Sequence, residues 1–248
     1  MRQVFTSLPY IPPREPALIC RWIVTHGTIR HLAKGEVLKY GGEENRLFLV
    51  LDGLCAYYIA GELTGQPSIM SLLPPARTVG DITATAHTAC NVQSRAVTPA
   101  MVMVCSPSSY REMLEEQPEL MQLKLVHAIQ KEESTLEGMV ANFTLPPEQR
   151  LKILFKALAL EAKAEAESDT QNSQGFTRLP FRLSDEVIGQ VVNLKRPTVS
   201  RITNDWRRAG LMRKIGLDRE VHDALFEDIY DWLDRPDLPK PNWLALRT

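Results

Sequence analysis

The sequence predicts an α+β chain of two domains joined by a long helix, and three observations carry that prediction. From Ile29 to Val104 short apolar runs alternate with Gly and Pro, the pattern of a small β unit. From Glu119 to about Phe143 apolar residues recur at helical spacing without a proline. From Leu183 to Lys214 two short amphipathic segments flank a single turn at Asn193. At 248 residues, 44% apolar and 24% charged, each of two domains can bury a core. The predicted boundaries are 1–107 for an N-terminal arm and β unit, 108–143 for the long helix, and 144–248 for a C-terminal domain with an extension.

Taken in order, residues 1–16 are Pro-rich and predict an irregular arm, followed by a short helix around Ala17–Thr25. Gly35, Gly42 and Gly53 fall where tight turns need positive φ, and Leu47–Leu51 reads as a buried strand between them. Further strands are expected around Ser68–Leu73 and Met101–Cys105. Ser108 to Phe143 predicts a helical region broken near Pro118. Leu120, Leu123, Leu125, Ile129, Leu136 and Val140 form one broad stripe along it, with Val126 and Met139 beside them. The stripe is longer than a globular core requires, and a seam between two copies explains the length.

Phe143–Pro147 reads as a hinge, and Leu151, Leu154, Phe155 and Leu158 as an amphipathic helix. Residues 161–175 turn charged and then polar, which predicts a solvated helix end and a loop. Residues 211–221 predict a small β-wing, and Ala224–Leu233 an amphipathic helix. Cysteines 20, 55, 90 and 105 are spread too widely for CxxC-type metal sites, so reduced thiols are expected. No stretch approaches the ~20 apolar residues of a membrane helix. The opening MRQVFTSLPYIPPREP lacks the apolar run of a secretory signal, so no membrane role and a cytoplasmic location are expected.

Leu183 to Lys214 has the grammar of a helix-turn-helix. Ser184 is a good N-cap, with Asp185 and Glu186 in the first turn. Ile188, Val191 and Val192 form one apolar face, and Gly189 permits close approach of a second helix. Asn193 tolerates the left-handed turn, and Pro197 suits the first turn of the helix that follows. Val199, Ile202 and Trp206 are that helix's buried stripe. Between residues 195 and 214 seven Lys/Arg stand against one acid, Asp205, a local charge of +6 in a chain of −1. Such an excess on a solvated helix is a footprint for a phosphate backbone. Near the helix N-terminus, Arg side chains can read guanine in the major groove. The candidate DNA contacts are Ser184, Lys195, Arg196, Pro197, Thr198, Ser200 and Arg201.

IGQVVNLKRPTVSRI resembles the recognition motif of the Crp/Fnr transcription regulators, and AKGEVLKYGGEENRLFLVLDGLCAYYI resembles the opening of that family's cyclic-nucleotide-binding-like β-roll. Most of the chain follows the family's order of β-roll sensor, dimerisation helix and winged helix-turn-helix. The resemblance implies a homodimeric, sequence-specific regulator of transcription. Its partners would be a double-stranded DNA operator, RNA polymerase and a small-molecule effector in the roll. Pro197 stands where many members carry a Glu that reads a C·G pair, which puts the family's usual half-site in doubt.

In cyclic-nucleotide-binding members a Gly-Glu pair and an Arg-Ser pair hold the ribose and phosphate. Here the matching positions are Gly80-Asp81 and Cys90-Asn91. Without a cationic partner for the phosphate, a cyclic nucleotide is not expected. The resemblance places the effector pocket at Gly80, Asp81, His87, Cys90 and Asn91. A narrower resemblance, to the family's carbon-monoxide-sensing haem regulators, runs through Gly80-Asp81 and His87-Thr88-Ala89-Cys90. It implies haem ligation by His87. Met1-Arg2-Gln3 and Thr85 depart from that pattern at two further ligand positions. An alternative output is a haem-based or small-molecule sensor acting through a protein partner. An enzyme is not expected: His26, His31, His87, His127 and His222 have no acid or nucleophile at a catalytic motif spacing.

Overall fold

The structure is a computed structural model, which describes residues 4–5, 7–40, 46–59, 67–86, 88, 92–165, 175–216 and 218–229. A helix, α1 (Ala17–His26), leads into eight short strands. These are β1 (Thr28–Leu32), β2 (Val37–Lys39), β3 (Leu47–Asp52), β4 (Cys55–Ile59), β5 (Ser68–Leu73), β6 (Thr78–Val79), β7 (Gln93–Ala96) and β8 (Ala100–Cys105). They form two four-stranded antiparallel sheets, ordered β1-β8-β3-β6 and β2-β7-β4-β5. Alternate side chains of both sheets meet in a core of Leu38, Phe48, Val50, Leu73, Val79 and Val102. The turns at Gly35 and Gly53 have φ of 84° and 79°, as predicted; Gly42 lies outside the described residues. A six-residue helix, α2 (Asp81–Ala86), sits between β6 and β7.

The helical region after the roll is broken at Gln117, between α3 (Pro107–Glu116) and α4 (Pro118–Thr144). Ser106 caps α3 by accepting from the Ser109 amide, and Pro118 opens α4, where a missing N–H costs nothing. The 27-residue α4 is inverted relative to an ordinary surface helix. Its inward face carries Lys124, His127, Lys131, Ser134 and Glu137, whereas Leu125, Ile129, Leu136, Met139 and Phe143 are exposed. No helix among the described residues is long and apolar enough to cross a membrane.

The C-terminal domain comprises α5 (Pro147–Glu165), β9 (Phe176–Arg178), α6 (Asp185–Val192), α7 (Arg196–Arg208), β10 (Met212–Ile215) and β11 (Asp218–His222). The wing is three-stranded, in the order β10-β11-β9. Residues 211–221 predicted its hairpin, while β9 arises next to the polar segment that reads as loop. The helix expected over Ala224–Leu233 does not form in the described part. A single 3₁₀ turn, Asp223–Phe226, follows β11 directly. Leu225, Phe226 and Ile229 all turn inward there, and Lys152 holds Asp228 at 2.6 Å, so the segment lies down on α5 rather than winding on. Residues 230–233 lie outside the described residues.

The arm is irregular, as predicted, but it is built into the core. Tyr10 and Ile11 are buried, and the Tyr10 carbonyl accepts from the Leu72 amide at 2.8 Å. The Tyr10 hydroxyl donates to Asn142 Oδ1 at 2.9 Å, and Phe5 N donates to Glu137 Oε2 at 2.8 Å. Gly138 makes room for this crossing: a Cβ there would stand 2.8 Å from the Tyr10 ring. The two domains also touch directly. Asn142 Nδ2 donates to the Val191 carbonyl in α6 at 2.9 Å, and Arg77 of the roll pairs with Glu161 of α5 at 2.6 Å.

Candidate nucleic-acid interface and roll pocket

The helix-turn-helix is assembled from local signals. Ser184 Oγ accepts from the Val187 amide at 3.2 Å and starts α6. Asn193 ends it in the left-handed region, with φ 52° and ψ 51°. Gly189 is required by the turn itself: an added Cβ would fall 2.3 Å from the Leu194 carbonyl oxygen, whose residue's own amide donates to Gly189 O at 2.9 Å. Val199, Ile202 and Trp206 bury the inner face of α7. Trp206 Nε1 donates to Glu148 Oε1 at 3.0 Å, and its ring meets Phe155 edge-on at 5.6 Å. Those contacts fix the rotation of α7 on α5.

That rotation turns Lys195, Arg196, Pro197, Arg201, Arg207 and Arg208 outward, with Thr198 and Ser200 half-buried beside them. The single acid is shared: Asp205 lies 3.8 Å from Arg201 and 3.5 Å from Arg208. Arg213 is tied to Glu220 at 2.6 Å, and Arg219 to Asp185 at 2.6 Å, which holds the wing against α6. A cleft of about 410 Å³ opens between α6, α7 and the wing, with Arg196, Arg207, Arg213 and Lys214 on its walls. The predicted contacts thus share one solvent-facing surface, except that the Ser184 hydroxyl already caps α6.

The second candidate site is the roll pocket. Gly80 adopts φ 83°, and a Cβ there would lie 2.2 Å from the Arg46 carbonyl oxygen. It delivers Asp81 into the interior, where the carboxylate is fully used by α4. Oδ2 accepts from Lys124 at 2.7 Å and Oδ1 from Lys131 at 2.6 Å. Lys124 also donates to Glu15 Oε1 at 2.6 Å, and Lys131 to the Thr78 carbonyl at 3.0 Å. Burial alone would raise the Asp81 carboxyl, but the two ammonium groups outweigh it and hold it well below the usual carboxylate range. Burial would likewise lower Lys124 and Lys131, yet the facing anions raise both.

His127 sits beside this cluster. Its Nε2 lies 3.2 Å from the Pro13 carbonyl, which can only accept, so the proton is assigned to Nε2. Nδ1 then accepts from Lys124 at 3.3 Å. Burial pushes the imidazole below its ordinary value, with the Lys124 charge acting in the same direction and Glu15 opposing. Glu15, Asp81 and His127 bring three ligand-type atoms within 4.8 Å of one another. The Lys124 ammonium stands among them, so the donor set is already neutralised by a built-in cation and does not fit a metal ion.

A cavity of about 350 Å³ adjoins Asp81, lined on the roll side by Lys39, Tyr57 and Ser94 and on the α4 side by Lys131 and Thr135. Of the predicted pocket residues, Gly80 and Asp81 are at this place, while His87, Cys90 and Asn91 lie outside the described residues. Reading the sequence missed Glu15, Lys39, Lys124 and Lys131. The signal for two of them was present: Lys124, His127 and Lys131 recur at i, i+3 and i+7, which puts them on one face of the helix. Burial pushes the thiols of Cys20 and Cys55 up to about 12, which keeps them protonated and inert.

Residues 154–224 match the family model of the Crp-like helix-turn-helix domain. The chain carries a Crp-like helix-turn-helix. No curated protein sequence matches it. Beyond that domain, most of the chain shares its fold with solved structures of Crp/Fnr regulators. FixK2 from Bradyrhizobium japonicum superimposes with a TM-score of 0.66 at 16% identity, over 79% of this chain and 92% of that one. A CooA mutant from Carboxydothermus hydrogenoformans gives 0.66 at 14%, over 89% and 96%. The c-di-GMP responsive global regulator CLP of Xanthomonas campestris gives 0.64 at 15%, over 84% and 99%.

Proposed function

We propose that this Crp/Fnr-type transcription regulator binds a two-fold DNA operator sequence-specifically, as a homodimer, under control of a small molecule other than a cyclic nucleotide. The observation that carries the reading is the outward basic face of α7. Lys195, Arg196 and Arg201 cluster at the N-terminal end of a helix whose opposite side is locked into the domain by Trp206. A helix so placed enters the major groove with its first turns against base edges. The exposed apolar side of α4 supports the homodimer, because a run of large side chains along a 27-residue helix is otherwise left in water. Asp81 supports the exclusion of a cyclic nucleotide: at the position matching the ribose-binding acid, both carboxylate oxygens are occupied by lysines. Control then works by population shift, the effector favouring one arrangement of α4 and of the α6–α7 unit that it touches through Asn142.

The test is selection of duplexes from a random library, followed by titration of the enriched sequence at several salt concentrations. A palindromic consensus is expected, with log K falling linearly against log salt at about −0.9 per phosphate neutralised. Binding that ignores salt, or a library that yields no consensus, overturns the reading.

A further inference from the structure

The roll pocket has the chemistry of an anion site. Three buried ammonium groups lie around it or behind it: Lys124 and Lys131 against the buried carboxylates of Glu15 and Asp81, and Lys39 donating to Thr83 Oγ1 at 2.9 Å. Glu132 stands at the exposed rim. Ser94 is the sharper observation. It lines the cavity at 1% exposure, and its hydroxyl has no hydrogen-bond partner among the described residues. A buried hydroxyl without a partner is unfavourable, and such groups ordinarily face a bound molecule or water. Met70, Val79, Ile82 and the ring of Tyr57 add apolar lining, interleaved with Thr83, Thr88 and Thr135. Charged groups beside apolar lining in about 350 Å³ suit a small amphipathic guest.

We propose that this pocket binds a small organic anion whose carboxylate or phosphate is held by Lys39, Ser94 and Lys131, and which competes with Asp81 for the Lys131 ammonium. The inference rests on the reading of the roll as the effector domain and names the class of effector. Lys39 and Ser94 belong to the roll strands β2 and β7, whereas Lys131 belongs to α4. An anion between them replaces part of an internal bridge, Asp81 to Lys131, by a ligand-mediated one. The attachment of α4 to the roll therefore differs between the empty and filled states, as control through α4 requires.

The experiment uses the full chain at fixed ionic strength, with inorganic phosphate, benzoate and the neutral isostere benzamide as probes, read by thermal melting and calorimetry. Phosphate or benzoate is expected to raise the melting temperature in a saturable way, and benzamide to leave it unchanged; the anion that acts separates a phosphate from a carboxylate effector. Ser94→Ala and Lys39→Met should each weaken that anion about tenfold or more, the loss of one hydrogen bond to a charged group. Ser94→Ala should meanwhile melt no lower than the parent without ligand, since it removes an unpartnered hydroxyl. The proposal is overturned if neither anion binds at tens of millimolar, if benzamide acts as well as benzoate, or if both variants bind as the parent does. An anion that binds but leaves DNA affinity unchanged keeps the site and removes the effector reading instead.

Discussion

Arg201 leaves α7 with one distant acidic neighbour, Asp205 at 3.8 Å, so little is lost inside the protein when it turns to another partner. If it reads a base, Arg201→Ala should cost about 1–3 kcal/mol on the selected operator and less on random duplex. Fluorescence anisotropy on both DNAs checks this, and equal losses would make it a phosphate contact. His127 carries a second expectation at this scale. Its folded imidazole titrates below the ordinary value of about 6.5. Between the folded value and about 6.5 the unfolded chain therefore binds more protons, and stability falls as pH falls through that window. Above about 6.5 the group contributes no slope. Gln can donate to Pro13 and accept from Lys124 as the neutral ring does, so His127→Gln should flatten the dependence of melting temperature on pH in the range just below about 6.5. An unchanged slope would assign the effect to other groups.

At the level of elements, α4 turns its charges in and its large apolar side chains out, and this follows from what lies on either side. The roll offers Asp81, and the arm offers Glu15 and the Pro13 carbonyl, so lysines and a histidine face inward. Phe143, at 80% exposure, and Ile129, at 52%, are left on the outer side, the face that the proposed homodimer would bury. Ile129→Glu should give a folded monomer, seen as halved mass by light scattering with unchanged far-UV dichroism. Each copy loses about 1.5–3 kcal/mol of apolar burial and gains a facing carboxylate. A mass that stays dimeric would move the seam elsewhere. The helix-turn-helix was legible because cap, left-handed Asn and Pro all act within a few residues of where they stand. The short strands of the N-terminal unit were legible through glycine turns and apolar runs, and their arrangement as a roll through the family resemblance. The partners of Asp81 were not, since Lys124 and Lys131 come 43 and 50 residues later, and no local pattern encodes whom a buried charge will meet.

Across the whole molecule the two domains are held by a buried ion pair with two hydrogen bonds. Arg77 Nη1 and Nη2 donate to the two oxygens of Glu161 at 2.7 and 2.6 Å, and Arg14 of the arm joins at 2.8 Å. Burial would raise the Glu161 carboxyl, but the arginines outweigh it and lower it, so its contribution is present above the ordinary carboxylate range and lost as pH falls through the folded value. Glu161→Gln leaves Arg77 buried and short of an anion, and should destabilise by about 3–5 kcal/mol in urea melts. The double variant Arg77→Met, Glu161→Leu should recover part of that loss, because paired apolar groups avoid the desolvation of the charges. Losses in the double variant that equal or exceed the single one would contradict this account.

The arm has a consequence for the order in which the chain can be finished. Ser7 bonds to Glu133 and Arg14 to Glu161, 126 and 147 positions later. Residues 4–16 are therefore synthesised long before any surface exists to receive them, and they stay loose while the roll closes and α4 and α5 wind. Contacts of such separation carry the largest loop-closure cost and form after the local ones. In pulse-labelled hydrogen exchange during refolding, the Phe5 amide should gain protection after the amides of β3 and β8; simultaneous protection would place the arm in the early nucleus. The segment that stitches the two domains together is made before the partners it binds and secured after them.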